Sequence, residues 1–159
     1  MNTVEIITMP QSLAKIYLHI IFSTKDRIPF LADEKVRQQT HAYLFRACGE
    51  LGAPAVIVGG VADHVHLACS MSRTQTVADL VRDIKRTSSS WLKQQSEDTV
   101  NFHWQSGYGV FSISPSHVDA LKEYILRQEE HHQGISFQDE FRHIAQKYGI
   151  KYDERYMWD

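Results

Sequence analysis

Cysteine is scarce in this chain: Cys48 and Cys69 are the only two among 159 residues. One falls in a helical pattern and the other in a strand pattern, so they frame neither a disulfide scaffold nor a zinc-type pair. They read instead as small buried apolar residues of a protein kept in a reducing compartment. Long apolar runs are missing too. None approaches the ~20 residues that span a bilayer, and no basic segment leading into an apolar stretch opens the chain. These absences predict a full-length cytoplasmic protein with no membrane attachment. No repeat, low-complexity tract or Pro/Gly/Ser linker divides the sequence, which predicts one domain over 1–159. Nor is there a large excess of charge. The net charge of -2 lacks the strong basic balance of many nucleic-acid binders. The distribution is less even. Residues 1–93 hold 11 Lys/Arg against 8 Asp/Glu, and residues 94–159 hold 6 against 11. The basic part includes Lys25 and Arg27, then Arg82, Lys85, Arg86 and Lys93 in one helical segment. Such a strip is either a contact surface for an acidic partner or a solvated helix face.

What is present is an ordinary globular pattern. Lys15 to Ser23 is rich in Ile, Tyr, Leu and Phe and reads as a first strand. Asp33 is placed as an N-cap, with Val36, Thr40, Tyr43, Leu44, Ala47 and Leu51 at three- and four-residue spacings until Gly52 ends the helix. Ala55–Val61 and His64–Met71 read as a hairpin. Thr76 and Asp79 form a capping box for a helix whose stripe is Val77, Leu80, Val81, Ile84, Trp91 and Leu92. Phe102–Trp104 and Tyr108–Ile113 predict a fourth strand interrupted near Gly107. A third helix is expected to open at Ser116 with Asp119 as capping partner, and a fourth over Phe137–Tyr148, before an aromatic tail. The order β-α-β-β-α-β predicts an α+β, ferredoxin-like split βαβ fold. In it, a mainly antiparallel sheet carries helices on one face and leaves the other open, with a core of about 15–132 and an appended C-terminal helical segment of about 133–159.

His64-Val65-His66 is the most informative stretch. Alternation along a strand puts Val65 and Leu67 on one face and both histidines on the other, pointing Asp63 away from them. Neutral imidazoles ligate divalent metals; the plainer reading is a half-buried strand whose polar face happens to carry two histidines. In the third helix Tyr124, Gln128 and His131 are spaced four and three apart and share a side. Alone, Tyr124 reads as an amphipathic boundary residue, ring packed and hydroxyl wet.

Taken in order, Ile16-Tyr17-Leu18-His19-Ile20-Ile21-Phe22-Ser23-Thr24-Lys25, Asp63-His64-Val65-His66-Leu67, Trp104-Gln105-Ser106-Gly107-Tyr108-Gly109-Val110-Phe111-Ser112, the Tyr124-Ile125-x-x-Gln128-x-x-His131-His132 run and the closing Tyr152-Asp153-Glu154-Arg155-Tyr156-Met157-Trp158 are specific. The chain resembles the single-tyrosine HUH transposases, the IS200-like insertion-sequence and REP-associated tyrosine transposase group. The resemblance runs from about Ile16 to Trp158. It implies cleavage and rejoining of single-stranded DNA at hairpin-marked ends through a 5′-phosphotyrosine. It also implies Tyr124 as nucleophile, His64, His66 and Gln128 as metal ligands, and a homodimer in which the tyrosine helix of one subunit sometimes completes the other's site.

The chemistry suits these residue types. A phenol conserves bond energy for a later strand transfer, but its pKa near ~10 demands help in losing the proton. Two imidazoles and an amide leave the full charge of Mg²⁺ or Mn²⁺ for a phosphate, with Mn²⁺ the better match for imidazole; zinc would also bind. No small-molecule organic cofactor is called for. Neutral imidazoles are required, so cleavage is expected to fall below about pH 6. Lys25, Arg27, Arg82, Lys85 and Arg86 are candidate phosphate contacts. Trp104, Tyr108 and Phe111 are candidate base-stacking residues or simply core. Two other functions stay open from sequence: a non-catalytic hairpin-binding protein on the same fold, and a metallohydrolase of small phosphoesters.

Overall fold

The computed structural model describes residues 12–159, the side chain of His131 excepted. Four strands, β1 (Ile16–Ser23), β2 (Ala55–Gly60), β3 (His64–Met71) and β4 (Gly109–Ile113), form one antiparallel sheet in the order β2-β3-β1-β4. Two helices, α1 (Glu34–Glu50) and α2 (Val77–Leu92), are inserted after β1 and after β3. This is the split βαβ arrangement, with β3 lying between the strands that flank the first helix.

Strand alternation builds the main core. Leu18, Ile20 and Phe22 of β1 and Val65, Leu67 and Cys69 of β3 face α1 and α2 and are buried with Leu44, Leu80, Val81, Ile84 and Leu92. Both helices start as their sequences direct. Asp33 accepts from Val36 N at 3.0 Å, and Thr76 accepts from Asp79 N at 3.1 Å.

The opposite sheet face is covered, not open. Three further helices, α3 (Val118–Leu126), α4 (Gln128–His131) and α5 (Phe137–Lys147), follow β4. Leu121 and Ile125 of α3 pack on Ile57 and Ala68. Phe137, Phe141 and Ile144 of α5 pack with Trp158 of the tail on Ile21 and Phe111. The periodicity of 118–148 foreshadowed the helices; their return onto the sheet needed the apolar surface that β1 and β4 create together.

Three local expectations are revised. The third helix does not open with a Ser116–Asp119 capping box. Pro115–His117 forms a 3₁₀ turn instead, and the hydroxyls of Ser114 and Ser116 lie 2.6 and 3.2 Å from His117 Nδ1. That helix also breaks at Arg127 (φ -96°, ψ 16°), so Tyr124 and Gln128 belong to successive helices. The fourth strand is shorter than expected, with Trp104 kept as an isolated bridge to Thr24.

Two glycines fix the approach to the histidine strand. Gly60 has φ +152°, and a Cβ there would lie 2.2 Å from the His64 carbonyl oxygen. Gly60→Ala is therefore expected to cost about 3 kcal/mol, lowering the melting temperature by about 10 °C for a chain of this size. A thermal scan displaced by less than ~2 °C would refute this. At Gly59 a Cβ would lie 2.7 Å from Ile125 Cγ2 and 2.9 Å from the Ile125 carbonyl oxygen. The C-terminal end of α3 thus rests directly on the backbone of β2.

Candidate active site

The register of the sheet places the site. Gly59 of β2 pairs with His66, which in turn pairs with Ile21 of β1; one step along, His19 pairs with Ala68. His19, His64 and His66 consequently share the face under α3 and α5, and all three are buried. The close seat of α3 on Gly59 brings Tyr124 and Gln128 over the same point, and α5 delivers Glu140 from the other side.

Glu140 is the hub. Its Oε1 lies 2.9 Å from His66 Nε2, 3.1 Å from His132 Nε2 and 3.3 Å from His64 Nε2. Its Oε2 accepts from Gln128 Nε2 at 3.1 Å and from the Tyr124 hydroxyl. Gln128 Oε1 faces His64 Nε2 at 3.2 Å, and His19 Nε2 faces His66 Nδ1 at 2.8 Å. Asp63 sits in the turn before β3, where strand alternation does not apply. Rather than pointing away, its Oδ1 comes within 2.7 Å of His64 Nδ1 and orients that ring.

Electrostatics follow from burial and this one carboxylate. Burial pulls His66 down to about 4, overriding its bond to Glu140. Burial likewise holds His19 well below its usual range, helped by His66. His64 goes the other way. Burial alone would lower it, but hydrogen bonds to the Asp63 and Glu140 carboxylates outweigh that and keep it above 6.5. Glu140 is held far below the usual carboxylate range, since its close contacts with the imidazoles of His132, His64 and His66 outweigh the cost of burial. The Tyr124 phenol is pushed up by burial and then by the adjacent negative charge of Glu140.

The cluster fits a metal ion. Ligand atoms of His64, His66, His132 and Glu140 all lie within 4.8 Å of one another. The three contacts to Glu140 Oε1 resemble the edges, about 3.3 Å, of a tetrahedron with ~2.0 Å bonds. His132 Nε2 is buried with no properly aligned hydrogen bond, as a nitrogen awaiting a cation would be. Gln128 adds an amide oxygen beside His64.

Of the residues singled out in sequence, His64, His66, Gln128 and Tyr124 are thus brought together in one chain. The basic residues lie outside this cluster, although Arg27 borders a cavity shared with Asp63 and His132. Arg82 and Arg86 are exposed on α2 and pair with Asp79 and Asp83. Lys85 turns inward, donating to the carbonyls of Gln105 (2.8 Å), Ser106 (3.3 Å) and Gly107 (2.7 Å), and burial lowers its ammonium to about 8. These residues border a shallow groove with His103 and Tyr108. Lys25 is exposed, while Arg27 lies over the Trp158 ring at 5.9 Å. Trp104 and Phe111 are core residues; Tyr108 alone of the three aromatics is exposed.

Sequence reasoning missed His19, His132 and Glu140. Glu140 did carry a signal, because it falls in the apolar register Phe137, Glu140, Phe141, Ile144, where an unpaired carboxylate would be expensive.

The family model for "Transposase IS200 like" matches residues 12–128. His132 and Glu140 lie beyond that match. A crystal structure described as a transposase from Deinococcus radiodurans R1 aligns at TM-score 0.57 and 24% identity, covering 76% of this chain and 95% of that one. The structure of a REP-associated tyrosine transposase bound to a REP hairpin aligns at TM-score 0.56 and 12% identity, covering 80% of this chain and 74% of that one. At such identities the likeness establishes the fold. No curated protein matches the chain. Among the described residues no helix is long and apolar enough to cross a membrane.

Proposed function

Since the chain belongs to the IS200-like transposase family, we propose that it cleaves and rejoins single-stranded DNA, with Tyr124 as nucleophile and a divalent cation on His64, His66 and Gln128. The carrying observation is the meeting of Tyr124, Gln128, His64 and His66 on the two oxygens of Glu140. Glu140 and His132 extend the donor set. Three imidazoles, an amide and a carboxylate favour Mn²⁺ over Mg²⁺.

When bound, the cation supplies Lewis-acid polarisation of the scissile phosphate. The protein's own groups do the rest. Tyr124 Oη forms a bond to phosphorus while the bond to the 3′ oxygen breaks, leaving a 5′-phosphotyrosine. Glu140 Oε2, already accepting from Tyr124, takes the phenolic proton, and the departing 3′ oxygen gains one from solvent. A raised phenol beside a lowered carboxylate makes full transfer uphill beforehand, so the proton moves as the new bond forms. Rejoining reverses each step, with a DNA 3′-OH displacing the phenol.

In this reading Arg82, Arg86, Lys25 and Arg27 contact backbone phosphates, and Lys85 holds the Gln105–Gly107 loop beside the groove that Arg82 and Arg86 border. Hairpin ends as substrate are supported by the structural likeness to a hairpin-bound relative. In this reading a homodimer pairs two DNA ends while each chain supplies a complete site. Denaturing electrophoresis of the protein with single-stranded DNA copied from the flanks of its gene tests the proposal. A covalent protein–DNA species is expected. Free cleavage products would make it a hydrolase, and bound but intact DNA a hairpin-binding module.

The raised His64 sets the pH dependence. Imidazolium cannot ligate, and His66 at about 4 is already neutral, whereas a proton held on His64 competes with the cation. Mn²⁺ affinity should therefore begin falling above pH 6.5, higher than the sequence suggested, by up to about tenfold per unit. Calorimetry should register proton release on Mn²⁺ binding that grows as the pH is lowered from 8 to 6. Affinity constant from pH 8 to pH 6 would contradict this.

A further inference from the structure

A cavity of about 610 Å³ opens beside Tyr124, between α3 and α5. Tyr124, His19 and Glu140 border its inner end. Ile113, Leu121 and Ile144 give it apolar walls, and exposed Lys147 lies at its rim. Tyr148, stacked on Phe111 with ring centroids 4.7 Å apart, adds an aromatic surface there. A flat apolar ring with a phosphate attached is the ligand these walls and this cation suit. The cavity's α5 wall lies outside the region matched by the family model.

In-line displacement decides which nucleotide enters. The departing 3′ oxygen must leave from the side of phosphorus opposite Tyr124 Oη. The nucleotide retained on the phosphotyrosine occupies a position at right angles to that line, beside the phenol. A second cavity, of about 580 Å³, touches the cluster at Asp63 and His132 instead and does not include Tyr124.

Resting on the function proposed above, the geometry points to the α3–α5 cavity as the subsite for the first retained nucleotide. That nucleotide lies immediately 3′ of the cut. Its base is received unpaired against Ile144 and Leu121, and its 3′ phosphate by Lys147.

The test uses the full chain and single-stranded oligonucleotides copied from the gene's flanks, first to map the cut through the covalent adduct. Affinities are then measured with Tyr124→Phe and strands carrying one abasic residue at each position in turn. An abasic residue just 3′ of the cut is expected to weaken binding about tenfold. Ile144→Trp, which fills the cavity, should weaken the intact strand similarly and abolish that sensitivity. Lys147→Ala, on the exposed rim, should leave the melting temperature unchanged and reduce the salt slope by about 0.7. This variant keeps the proposal testable even if Ile144→Trp fails to fold. The subsite alone is overturned if adducts form but the 3′ abasic residue costs nothing, if the largest loss falls 5′ of the cut, or if Lys147→Ala leaves the salt slope intact. No adduct with any flanking strand would overturn the function and the subsite together.

Discussion

Tyr124→Phe should eliminate the covalent protein–DNA species, by about 10³-fold or more, while leaving DNA affinity within about twofold of the parent. The substitution removes one oxygen and keeps the ring that packs beside Ile57, Ala68 and Leu121. Its structural cost is the hydrogen bond to Glu140, whose carboxylate still faces His64, His66, His132 and Gln128. Stability should change by only about 1 kcal/mol. Loss of chemistry with retained binding and folding separates a nucleophile from a packing residue. Denaturing electrophoresis, anisotropy and a thermal scan give the three readings. A persisting adduct would move the attacking oxygen to another residue, and lost DNA binding would make Tyr124 a contact residue.

Removal of the hub is the second large effect. Glu140→Ala should reduce Mn²⁺ affinity at least about 100-fold, with His66→Ala as the reference for losing a ligand outright. Two consequences in the metal-free protein need no catalysis to observe. His64 loses a carboxylate that raised it and should titrate lower; Tyr124 loses the negative charge that pushed it up and should ionise at lower pH. NMR of the imidazole and ultraviolet titration of the phenol read these directly. Unchanged Mn²⁺ affinity would restrict Glu140 to holding the tyrosine, and an unmoved phenol in addition would remove it from both roles.

Much of this arrangement was legible beforehand, because the signals were local. The Asp33 and Thr76 caps, the bounds of β3 and the shared face of His64 and His66 all follow from neighbouring residues. What eluded sequence reading depends on residues far apart in the chain. His19 joins His66 only through the β1–β3 register, 47 residues away, and Glu140 reaches it from 74 away. Asp63 was misjudged because β3 begins one residue later, so a strand rule was applied to a turn. The uninterrupted third helix failed for a comparable reason: spacing reports which residues could share a helix, and not where the backbone leaves it. The supposedly open sheet face was an error of bookkeeping at the level of layers, since the last helix had no other apolar surface to cover.

The seam between the matched region and α5 sets a lower bound on how small an active version of this protein can be made. Trimming near residue 128 would keep every strand and both histidines of the His-x-His pair. It would also uncover Ile21 and Phe111, now shielded by α5, and strip the proposed cation pocket of two of its donors. Such a miniature should be sticky and metal-poor, so a compact transposase derived from this scaffold has to be shortened somewhere else.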